Sequence, residues 1–177
     1  MKSLPFMVLA VGVLLAAAPA ASTPLGERSA EELVALMIWG LEPASRTEQA
    51  NAWQVEEPDG DRAIISVSRL SNCLFSVSME KRVARTGHVL KIDYSFDFAA
   101  VRDYSAWLAN GKDQRIITKI EGKNWYDQRV INTADGHTVQ SIPHGSIHAF
   151  VAGGGSIERL QAAFNDFRVN HCKARSP

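Results

Sequence analysis

From Trp53 onward the chain alternates apolar and polar residues with a period of two. Ala63, Ile65 and Val67 stand against Ile64, Ser66 and Ser68, and Cys73, Phe75, Val77 and Met79 then share a face opposite Leu74, Ser76, Ser78 and Glu80. The cleanest run sets Leu90, Ile92, Tyr94, Phe96 and Phe98 against Lys91, Asp93, Ser95 and Asp97. Successive side chains of a strand point to opposite faces, so this pattern predicts strands with one face on a core and one in water. Antiparallel sheets tolerate a wet face, whereas parallel sheets are covered on both. Asp59-Gly60 and Thr86-Gly87 supply turn signals between the first runs. Three more strands are expected over 115–121, 125–132 and 137–142, parted at Gly122 and Asp135-Gly136, with a short one over 147–151. Residues 99–108 read either as helix or as an irregular crossover, because Val101, Tyr104 and Leu108 keep helical spacing.

Helical periods flank the strands. Ser29 with Glu32 three positions on makes a capping-box pattern, in which hydroxyl and carboxylate satisfy orphan amide donors. The run from Leu33 to Leu41 that follows is apolar on more than one face, as expected of a deeply packed helix, and Gly40 and Pro43 end it. Near the C-terminus, Gly153-Gly154-Gly155 breaks the chain, reading as a flexible hinge rather than an anion-binding loop. Ile157, Leu160, Ala163, Phe164 and Phe167 then form one stripe of an amphipathic helix. The expected fold class is α+β: an antiparallel meander of about six or seven strands, with an N-terminal and a C-terminal helix packed on one face.

Residues 1–20 follow a different pattern. Lys2, an apolar run from Leu4 to Ala18 and the exit Ala18-Pro19-Ala20 predict a signal peptide cleaved after Ala20. The run is about 15 residues, shorter than the ~20 that span a bilayer, so no stable membrane anchor is expected after cleavage. The short charged region suits bacterial export to the periplasm. Residues 21–28 read as a flexible lead-in and 29–177 as a single domain.

The 177-residue chain has 19 basic and 19 acidic residues. Without a net field to gather phosphates, nucleic acid is not an expected partner. Export changes the reading of the two cysteines. In an oxidising compartment an isolated pair forms a disulfide, so Cys73 and Cys172 are expected to bond and to staple the last helix to the sheet.

Candidate chemistry is sparse. His137, His144 and His148 fall close together, and neutral imidazole is a common zinc or copper ligand. Pro143 and Gly145 argue against their sharing a helical face, and no zinc-protease motif accompanies them. They remain weak metal candidates, with no catalytic residue or cofactor assigned. Asp93 and Asp97 share one polar strand face about 13 Å apart, too far for a glycosidase pair. Lys81, Arg82 and Arg85 read as a solvated hairpin tip. Trp39, Trp53, Trp107 and Trp125, with Tyr94, Tyr104 and Tyr126, suffice for a core or for the wall of a pocket between sheet and helices. The expectation is a small exported accessory protein that binds a small ligand or an envelope protein without catalysis. The alternative is a small metal-dependent or histidine-based hydrolase built on His137, His144 and His148.

Overall fold

The computed structural model describes residues 24–56, 60–109, 115–132 and 138–173. The expected signal peptide, Asp59, Asp135-Gly136 and His137 lie outside the described residues. Among the described residues, seven strands follow the first helix: β1 (Ala52–Glu56), β2 (Arg62–Arg69), β3 (Leu74–Arg82), β4 (Val89–Asp97), β5 (Val101–Leu108), β6 (Ile116–Asn132) and β7 (Thr138–Ala152). All pairings are antiparallel. β4 and β5 lie end to end along one side of β6, with Phe96 opposite Tyr126 and Val101 opposite Gly122, while β7 takes the other side. Every strand therefore pairs with a sequence neighbour, except that β4 is followed across the sheet by β6 and not by β5. The sheet is curled into a half-barrel rather than laid flat.

The curl has a local cause. Register shifts interrupt the ladders between Val101 and Asp103 on β5 and between Glu121 and Gln128 on β6. Such bulges bend a strand and increase its twist. They also explain where the sequence pattern misleads. Residues 99–108 are neither a helix nor a crossover; after a short 3-10 turn at Phe98–Ala100 they form β5. The bulge at Arg102 shifts the inside–outside alternation by one, so Val101 and Tyr104 both face the core at a spacing of three. The segments 115–121 and 125–132 are one strand, β6, and β7 spans both 137–142 and 147–151 except for His137. Gly122 and Gly145 are points of close contact within continuous strands. A Cβ at Gly122 would lie 2.4 Å from the Ala100 carbonyl oxygen, and one at Gly145 would lie 2.1 Å from the Tyr126 ring.

Helix α1 (Ala30–Trp39) begins with the expected box: the Glu32 amide donates to Ser29 Oγ, and Ser29 N–H donates to the Glu32 carboxylate. Every residue from Leu33 to Ile38 is fully buried. The helix is apolar all round because the sheet covers one side and α2 (Ile157–Asp166) packs on another. Its C-terminal carbonyls have no partners within the helix, and two strands and the residue that follows β7 provide them. Tyr104 Oη donates to Met37 O at 2.6 Å, Thr118 Oγ1 donates to Ile38 O at 2.8 Å, and Gly153 N–H donates to Trp39 O at 2.8 Å.

Helix α2 uses its predicted stripe. Leu160, Ala163 and Phe167 are buried, and Phe164 stacks on Tyr104 with ring centroids 4.6 Å apart. A π-helical turn, Phe167–His171, delivers Cys172 to Cys73, with the sulfurs at disulfide distance, 2.12 Å. At the other end of α2, Glu42 accepts from both Arg159 and the buried Arg28, joining the N-terminal segment to the helix pair. Burial pushes the Glu42 carboxyl up, but the two guanidinium groups outweigh it and hold the pKa below the usual value.

Candidate functional site

The open side of the half-barrel, between β1–β3 and β7, holds a cavity of about 740 Å³. Strand alternation puts its walls in place. Ala63 and Ile65 on β2 lie opposite Lys81 and Met79 on β3, all on the concave face. His148, Phe150 and Ala152 share the corresponding face of β7. Trp39, at the end of α1, completes the wall, its ring 5.4 Å from Phe150 edge to face and 6.5 Å from Tyr94.

Trp39 is held there by backbone contacts. Gly40 has φ of +69°, a conformation glycine adopts without a Cβ penalty. Its missing side chain also admits the 153–155 segment: a Cβ would lie 2.1 Å from the Gly154 carbonyl oxygen. The glycine triplet therefore packs against the end of α1 and lines the cavity.

Two polar side chains meet aromatic rings inside. The imidazole of His148 lies 4.3 Å from the Phe150 ring, 4.9 Å from Tyr126 and 5.7 Å from Tyr94, centroid to centroid. Burial among them lowers its pKa below the ordinary 6.5, so it is neutral at pH 7, with one donor and one acceptor nitrogen. Burial, with the Tyr126 phenol nearby, pushes the Tyr94 hydroxyl up to about 12. The Tyr94 oxygen accepts from Gln128 Nε2 at 3.4 Å, a bond that does not use the phenol proton.

Charge gathers where Glu56, Lys81 and Arg115 line the cavity. Lys81 Nζ is 3.0 Å from Asp61, and Arg62 is 3.5 Å from Glu56. The Ala84 amide first, and Lys81 with it, hold the Asp61 carboxyl below the usual range.

The sequence candidates separate. His148 faces the cavity, whereas the His144 side chain is 74% exposed, its ring nitrogen 3.7 Å from Asp127 on the outer side. His144 has φ of +54°, and its amide donates to Asp127 Oδ1 at 2.6 Å, so the local bend turns this residue outward. No group of three or more His, Cys, Asp or Glu able to hold a metal is present among the described residues. Asp93 accepts from Ser78 Oγ, and Asp97 caps the turn at Ala99. Of the aromatics, Trp39 and Tyr94 line the cavity, Trp53 and Trp125 are core, and Trp107 is 40% exposed.

Lys81, Glu56 and Arg115 are the site residues that sequence reasoning missed or misplaced. Lys81 has a signal: it continues the inward alternation of Val77 and Met79, yet its neighbours Arg82 and Arg85 made it look solvated. His148 has one as well, sharing the parity of Phe150 and Ala152. Comparison with protein-family models, curated proteins and solved structures finds no match to this chain.

Proposed function

We propose that the chain is a non-catalytic binding protein, an accessory of the bacterial cell envelope acting in the periplasm, that takes a small ligand into the cavity between β1–β3 and β7. The observation that carries this reading is the cavity itself. At about 740 Å³ it falls within the range of ligand sites. Its lining also has their character, with an apolar wall and a few polar groups, Tyr94 and His148 among them. The Cys73–Cys172 pair is consistent with an oxidising, exported environment.

The rival hydrolase would need its histidines to converge, and His148 lines the cavity whereas His144 is exposed beside Asp127 and outside that lining. Binding is tested with the dye 8-anilinonaphthalene-1-sulfonate on protein lacking residues 1–20. Saturable fluorescence at one dye per chain is expected, weakened at least tenfold by Ala63→Phe, which narrows the cavity from the β2 wall. Fluorescence of equal strength in a folded Ala63→Phe variant would exclude this cavity as the site.

A further inference from the structure

Resting on that cavity reading, we infer that the ligand is an uncharged, largely apolar molecule bearing a hydroxyl or carbonyl oxygen, and that His148 and Tyr94 bind this oxygen.

The charged side chains of the lining are engaged elsewhere. Lys81 is paired with Asp61 and Glu56 with Arg62, and Arg115 has a partner as well. Two of the three tyrosines have also spent their protons: Tyr104 Oη donates to Met37 O, and Tyr126 Oη donates to Ile147 O at 3.2 Å. Tyr94 differs. Its oxygen accepts from Gln128, and its proton has no acceptor among the described residues. Neither ring nitrogen of His148 has a hydrogen-bond partner among them, although aromatic rings surround the imidazole. The two side chains are neighbours in the cavity wall, their ring centres 5.7 Å apart.

What these groups offer defines what they bind. The phenol has a donor to give, and the neutral imidazole has one donor and one acceptor. A carbonyl oxygen accepts from both donors. A hydroxyl accepts from Tyr94 and donates to the bare nitrogen of His148. Water meets the same needs in the open cavity, but a ligand without such an oxygen displaces that water and leaves both groups unpaired. Sites built to hydrogen-bond an oxygen reject analogues that lack it for this reason. A charged group is disfavoured, because the rings of Tyr126, Phe150 and Trp39 around the pair offer nothing in place of its hydration. The same burial keeps the imidazole uncharged. Ile65, Met79 and Val55 supply apolar surface for the rest of the molecule.

The experiment is competition for the bound dye by probes that share one body: 2-naphthol, 2-acetylnaphthalene, 2-methylnaphthalene and 2-naphthoate, at pH 7.5. The hydroxyl and carbonyl probes are expected to displace the dye at least tenfold more strongly than the oxygen-free hydrocarbon and the carboxylate. Tyr94→Phe combined with His148→Phe should bring both down to the level of 2-methylnaphthalene. Displacement by that hydrocarbon should change little, which reports a folded cavity in the variant. As a readout that needs no variant, the infrared carbonyl stretch of 2-acetylnaphthalene bound to the unsubstituted protein should lie below its value in hexane, as it does for a hydrogen-bonded carbonyl.

Displacement by 2-methylnaphthalene equal to that by the oxygen-bearing probes, or a bound carbonyl stretch at its hexane value, overturns the role of His148 and Tyr94. Equal displacement by 2-naphthoate overturns the exclusion of charge. Dye that binds in the cavity but is displaced by none of the probes overturns the inference and leaves the cavity reading standing. Absence of dye binding overturns both.

Discussion

At the scale of single residues, the most consequential group is His148. A charged imidazole among Phe150, Tyr126 and Tyr94 would lose its hydration, so burial lowers its pKa in the folded protein. The unfolded chain then binds the proton more readily than the folded one. Stability from this group is fully present above the ordinary value of 6.5 and is lost as pH falls through the folded value. The urea midpoint of the unsubstituted protein is accordingly expected to fall between pH 7.5 and pH 5. His148→Phe, which keeps a ring in the aromatic cluster, should fall less over the same interval. Parallel pH profiles for the two proteins would remove His148 as the cause. The cavity depends on this neutrality, because an imidazolium would sit in its wall.

At the scale of elements, α1 shows how a helix without a polar face is completed by other parts of the chain. Tyr104→Phe leaves Met37 O without its partner, and Thr118→Val does the same for Ile38 O. An orphaned buried acceptor costs about 1–3 kcal/mol, so each change should lower unfolding free energy by that order with an unchanged denaturant slope. Equilibrium urea unfolding followed by circular dichroism measures it, and two wild-type midpoints would show the caps to be energetically idle. The start of α1 was legible from Ser29 and Glu32, and its burial from the unbroken run Leu33–Leu41, because both are local signals. Strands β2, β3 and β4 were legible for the same reason. β5 was not, since one bulged residue makes a strand's parity imitate a helix's spacing. The lengths of β6 and β7 were hidden too: Gly122 and Gly145 resemble turn residues, and only the backbone or ring lying against each explains the glycine. The cavity was the least legible feature, because Trp39, Lys81 and His148 come from three elements far apart in sequence, and the curl of the sheet brings them to one space.

At the scale of the whole molecule, the Cys73–Cys172 link joins the beginning of β3 to the end of the final helical turn, enclosing 99 positions of separation. Restricting a loop of that length in the unfolded chain stabilises the fold by about 2–4 kcal/mol. Reduction, or the paired replacement Cys73→Ala with Cys172→Ala, should lower the denaturant midpoint accordingly, and an unmoved midpoint would show that packing of α2 alone suffices. The caps on α1 carry one more implication, which concerns time. Met37 O waits for Tyr104, 67 positions later, and Ile38 O for Thr118, 80 positions later. The carbonyl of Trp39 waits for Gly153, just past the last strand. A chain made from its N-terminus thus produces its central helix first and finishes it last. Its native contacts are dominated by long-range pairings, the kind that close slowly. The growing chain cannot complete its core until residues as far along as Gly153 and Phe167 have been synthesised.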